Sequence, residues 1–149
     1  MSEENDRSNQ PKVDQETAEL EFIRCMEAMD MDPAPKHRDQ EDLASFEDSK
    51  FEFINAIKGG SLTVDGMGDL HYTPKSSRMK DPIHFGEPDG EVLLAMDRVK
   101  GSHSFAKNIA VLSKWSGRPE IEFKAMKQRD HRVLNSILGL FLASRSKPY

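Results

Sequence analysis

Cysteine is almost missing from this 149-residue chain, where Cys25 stands alone. A single thiol can neither staple the fold nor build a zinc cluster by itself, and its solitude suits a reducing compartment. Long apolar runs are missing as well. The longest, near Ile137–Leu142, falls far short of the roughly 20 residues that a membrane-spanning helix needs. The opening MSEENDRSNQ has no apolar run either, so no signal peptide is expected. Together these absences predict a cytoplasmic protein with no membrane partner. Aromatics amount to only 7%, thin for a surface that stacks the bases of single-stranded nucleic acid. Hydrophobic residues make up 36% and charged residues 32%, less apolar than an average domain, so part of the chain is expected to lie outside any core.

Catalytic patterns are also lacking. There is no Gly-x-Ser-x-Gly elbow and no phosphate loop. Gly59-Gly60 follows a helical pattern, whereas a phosphate cradle precedes one. The histidines His37, His71, His84, His103 and His131 form no pair at metal-ligand spacing along the chain. His71 and His84 could meet across two strands, an arrangement more often structural or exposed than ligating. Cys25 lies on the apolar side of a short helix with only Arg24 beside it, the setting of a packing thiol. No carboxylate stands isolated in apolar surroundings that would raise its pKa. The expectation is a non-enzyme with no catalytic residue, no cofactor, no metal and no small-molecule substrate.

What the chain does have is charge of opposite sign at its two ends. Residues 1–50 hold 15 acids and 6 bases, while residues 98–147 hold 11 bases and 3 acids. Three readings fit: solvated faces that differ in sign, an acidic arm folded back on a basic body, or a basic face that meets an acidic partner.

Along the chain, residues 1–13 are polar and aperiodic and read as a disordered tail. Residues 14–41 read as an acidic helical arm and linker. Leu20, Ile23 and Glu27 are spaced as one helical face there, with Phe22 and Met26 alongside, and the prolines Pro33 and Pro35 follow. A single globular domain is expected over 42–143, with a C-terminal tail at 144–149. Its first helix runs from an Asp42 N-cap to Lys58, with Leu43, Phe46, Phe53, Ile54 and Ile57 on one face. Leu62–Val64 and Leu70–Thr73 flank an Asp65-Gly66 turn and predict a hairpin, and Pro82–Phe85 could add a third strand. A helix entered through Pro88-Asp89-Gly90 follows, with Val92, Ala95, Met96 and Val99 on one face. Gly101 breaks it and Ser102 is placed to cap the next. That helix carries a Phe105, Ile109, Leu112 stripe with Trp115 beside it. A short helix after Pro119 holds Ile121, Phe123 and Met126. Asp130 is placed to cap the last helix, whose wide apolar face (Val133, Leu134, Ile137, Leu138, Phe141) predicts a central position. The fold class is α+β, mostly α: a small hairpin or three-stranded sheet packed by a C-terminal helical bundle, with a helical N-terminal arm.

Two binding readings remain. Lys124, Lys127, Arg129, Arg132, Arg145 and Lys147 make a basic region open to a DNA-binding regulatory role. Against it, Lys114 stands where a helix-turn-helix motif needs its turn glycine, Pro119 interrupts the second helix, and the net charge is −5. The other reading is protein binding. Eight methionines are many for this length, and a flexible, polarizable side chain suits varied apolar partners, although each also serves as ordinary core filler.

From Tyr72 to Leu142 the chain resembles phage tail assembly chaperones. The stretch begins YTPKSS, continues through IHFGEPDGEVLLAMDRVKG, and reads AVLSKWSGRPEIEFKAMKQRDHRVLNSILGLFL in its second half. Pro88, Leu94, Met96, Gly117, Pro119, Phe123, Met126, Asp130 and Phe141 carry the likeness, as packing and capping positions. The resemblance implies a chaperone in the cytoplasm of a bacterial host of a phage or prophage. Its partner would be the tape measure protein, or another tail component, kept soluble until the tail tube polymerises. A helical groove would cover the apolar faces of that long helical partner. Met96, Trp115, Phe123, Met126, Phe141 and Leu142 are the residues expected to line it, with the acidic arm as a competitor for the same groove.

Overall fold

The computed structural model describes residues 13–34, 40–76, 81–99 and 104–144. The tails expected at 1–13 and 144–149 lie outside these residues except for Val13 and Ser144, as do Pro35, Gly101 and Ser102. Helix α1 (Gln15–Ala28) is capped by Asp14, whose carboxylate accepts from the Thr17 N–H at 2.8 Å. Helix α2 (Gln40–Lys58) begins two residues before Asp42, which therefore sits inside the first turn rather than capping it. Three short strands follow: β1 (Leu62–Val64), β2 (Leu70–Tyr72) and β3 (Ile83–Phe85). Helices α3 (Gly90–Val99), α4 (Phe105–Ser116), α5 (Glu120–Lys124) and α6 (Gln128–Ser144) complete the described chain. Ser104 caps α4 by accepting from the Lys107 N–H. The architecture is α+β, mostly helical, with a small antiparallel sheet.

The sheet is a meander in the order β1-β2-β3. Side chains alternate across a strand, so each three-residue strand presents two faces. Leu62, Leu70, Tyr72, Ile83 and Phe85 are all fully buried on the inner one. Thr63, His71 and His84 are left on the outer one, and the register sets His71 directly opposite His84. A sheet this small gains little from its ladder and depends on the helices covering its inner face.

Helix α6 buries most of the wide apolar face expected of it. Leu134, Ile137, Leu138, Leu140 and Phe141 are buried, and α2 is its main partner. Gly139 permits the close approach: a Cβ there would stand 3.1 Å from the Ser49 hydroxyl of α2.

Two expectations about α1 need correction. The helix is not a detachable arm. Ala18, Phe22, Cys25 and Met26 are wholly buried in the same core as the sheet and the C-terminal helices. Phe22 meets Phe53 edge-to-face at 5.3 Å and Phe46 at 6.5 Å. Nor is the buried face the expected one, because Leu20 and Ile23 are exposed. Both faces satisfy a helical period, and the bulkier Phe22–Cys25–Met26–Met29 stripe is the one that is buried. Burial pushes the Cys25 thiol up to about 12, which keeps it protonated and inert.

The β1–β2 turn docks on this helix. Arg24 donates to the carbonyls of Asp65 and Val64 at 2.7 and 2.9 Å. Gly68 lies at φ +92°, and a Cβ there would fall 2.3 Å from the Ala28 Cβ, so only glycine fits between the turn and the helix.

Candidate functional site

The six residues expected to line a partner groove do not line one. Met96, Phe123 and Phe141 are fully buried, Met126 and Trp115 nearly so, and Leu142 packs half-buried against the core. Trp115 shows why. Its indole N–H donates to the Gly86 carbonyl at 2.7 Å, and its ring lies 4.8 Å from both Phe85 and Phe141. It joins β3 to α6 through the core and is left little exposed. Helical periodicity marks a face as apolar without telling whether the rest of the chain already covers it.

Among the described residues, an open apolar groove lies instead between α3 and α4. It has a volume of about 510 Å³, is open to solvent, and is lined by Ala95 and Val99 of α3 and by Ala110 and Val111 of α4. Arg98, Lys107 and Lys114 form its rim. The small alanines leave a trough between the two helices, because their side chains are too short to fill it. Lys114 stands 3.8 Å from the exposed Glu91 carboxylate, a loose surface pair that holds the ammonium weakly. Apolar floor and cationic rim together match an amphipathic helix whose apolar stripe is flanked by acids. The sequence signal for this site was the Ala95/Val99 and Ala110/Lys114 spacing of four residues, which a search for bulky apolar stripes passes over. Leu94, Phe105 and Ile121 add exposed apolar side chains on α3, α4 and α5.

A second recess, of about 380 Å³, is lined by Glu52, Asn55 and Ala56 of α2, Ser61, Lys75, and Arg129, Arg132 and Val133 of α6. A buried carboxylate lies close by. Asp130 does not cap α6 as expected, because it lies within the first turn and its oxygens face the segment after β2. The Tyr72 hydroxyl donates to Oδ1 at 2.5 Å, the Lys75 N–H to Oδ1 at 2.7 Å and the Ser76 N–H to Oδ2 at 2.9 Å. The Ser76 hydroxyl also donates to Oδ2 and accepts from the Lys127 N–H at 2.9 Å. Burial alone would raise the Asp130 pKa, yet these donors outweigh it and hold the group below the ordinary carboxylate range. On Tyr72, burial and donation to Asp130 both push the phenol upward. The result is a fixed junction between the sheet and α6 that positions Lys75 and Arg129 at the recess.

The third cluster is one for which no role was expected. His71 and His84 do meet across β2 and β3, with ring centroids 4.9 Å apart. Each has its own carboxylate: Asp65 Oδ2 lies 2.7 Å from His71 Nε2, and Asp69 Oδ2 lies 2.8 Å from His84 Nε2. The hydrogen bond with His71, followed by the Asp69 and Met67 N–H groups, lowers the Asp65 pKa against a smaller opposing effect of burial. Scanning for ligand spacing along the chain misses this set, because strand pairing and a turn bring the residues together.

No protein-family model matches the chain, and no curated protein or solved structure matches it. Among the described residues, no helix is long and apolar enough to cross a membrane.

Proposed function

We propose that this chain is a tail assembly chaperone of the phage type, which holds an acid-flanked amphipathic helix of the tape measure protein in the α3–α4 groove until the tail tube polymerises. The observation that carries this reading is the accessible apolar trough with its Arg98, Lys107 and Lys114 rim. The reading also draws on the resemblance over Tyr72–Leu142, a stretch that contains both helices of the groove. The reading moves the binding surface from Met96, Trp115, Phe123, Met126, Phe141 and Leu142 to the groove between α3 and α4. Release suits such a site: a shallow trough of small side chains buries modest area, so binding is strong enough to shield a partner and weak enough to yield to tube protein.

The test is co-expression of the untagged partner with the tagged chain, followed by measurement of partner solubility and affinity. Ala110 is exposed at the groove, so Ala110→Trp fills it without disturbing the core. The expected result is soluble partner in the presence of the chain, and affinity reduced about tenfold or more by A110W. Raising salt to about 0.5 M should weaken wild-type binding only a few-fold, because the apolar floor carries most of it. Unchanged affinity in A110W would remove the groove from the mechanism. Recovery of DNA that washes off steeply with salt, and of no helical partner, would favour a regulator instead.

A further inference from the structure

We propose that Asp65, His71 and His84 form a binding site for a divalent first-row transition ion, zinc foremost, on the outer face of the sheet. Two neutral imidazoles and a carboxylate are the donor set that such ions prefer, and one that calcium and magnesium do not. The ligand atoms of these three residues lie within 4.8 Å of one another. Around a tetrahedral ion with bonds of about 2.0–2.2 Å, ligand atoms stand about 3.3 Å apart. Small side-chain rotations close that difference, and solvent leaves room for them because the His71 and Asp65 side chains are about one-third exposed and that of His84 is 52% exposed.

The backbone around the site is built rather than incidental. Asp65 Oδ1 is committed to the turn, accepting from the N–H groups of Met67 and Asp69 at 2.9 and 3.0 Å. That leaves Oδ2 alone facing the histidines. The turn itself is locked by Arg24 on the Asp65 carbonyl and by Gly68 against Ala28. The β2–β3 register fixes the two imidazoles opposite each other. Asp69 holds the His84 ring from outside the trio, in the way that carboxylate partners orient metal-bound histidines.

Three protein ligands leave one position for water or for a group brought by a partner. The ion would tie together the turn after β1, β2 and β3, and so lock a sheet whose own ladder is short. This inference is independent of the α3–α4 groove.

The experiment uses the full chain without a histidine tag, stripped with chelator. Zn²⁺ is titrated by calorimetry, Co²⁺ by visible absorption, and Tm is measured with and without Zn²⁺. The expected result is one ion per chain, the ligand-field bands of four- or five-coordinate Co²⁺, and a higher Tm with Zn²⁺. His84→Asn should weaken binding at least about tenfold while leaving the apo Tm nearly unchanged, because the side chain is exposed. Asp65→Asn should weaken binding similarly, and the His71 and His84 ring resonances should be the ones that shift. Absence of both heat and Tm shift at about 0.1 mM Zn²⁺ would overturn the proposal. So would full-strength binding in H84N, which would place the ion elsewhere.

Discussion

Asp130 ties the start of α6 to the segment after β2. Four donors end on its carboxylate, two of them backbone N–H groups of the segment after β2. Asp130→Ala leaves the buried Tyr72 hydroxyl and the part-buried Lys75 and Ser76 N–H groups without their acceptor, and the expected cost is about 2 kcal/mol in urea unfolding. The pH dependence has a definite sign. The folded-state pKa is depressed, so the stabilisation is fully present above the unfolded value of about 3.9 and is lost as pH falls through the folded value. Wild-type stability should therefore drop below about pH 4, and D130N should show a shallower drop over the same range. Equal slopes for the two proteins would show that Asp130 is not the group responsible. An aspartate before a long apolar run looks like an N-cap in sequence. Its real partners are 54 to 58 residues away, and nothing local announces them.

At the scale of elements, α1 decides the most. Its Phe22 ring is enclosed by Phe46 and Phe53, and the Lys50 ammonium lies over its face at 5.3 Å. Phe22→Ala should lower stability by about 3–5 kcal/mol, the range for removing a buried aromatic ring. Leu20→Ala, one turn-half away on the exposed face, should change it by less than about 0.5 kcal/mol. Thermal or urea unfolding of the two variants distinguishes a core helix from an arm, because an arm would tolerate both changes. The sheet was legible before the fold was known, since the Asp-Gly turn and alternating strands are local signals. The choice between two faces of α1 was not, since helical periodicity is satisfied by both.

For the whole molecule, the consequence is that the body does not end at residue 42. Helix α1 packs on α2 and on β1, and α2 in turn packs along α6. A fragment spanning 42–143 should expose the Phe46 and Phe53 faces and lose cooperative unfolding. Broad thermal melting and dye binding to exposed apolar surface are the expected readouts. A sharp transition near the wild-type Tm would restore the arm. The acidic N-terminal helices thus lie folded against the body, while Arg98, Lys107 and Lys114 remain at the groove rim.

Element types, the order of strands and helices, the buried apolar face of α6 and the lack, among the described residues, of a membrane-crossing helix all follow from local pattern: period, turn chemistry and length. Long-range packing settled the rest. It turned Met96, Trp115, Phe123, Met126 and Phe141 from groove lining into core, opened a groove over alanines instead, and drew Asp65, His71 and His84 into one cluster. Periodicity specifies which side of an element is apolar. Only the meeting of elements distant in sequence specifies what covers that side, and which polar groups are brought within bonding distance.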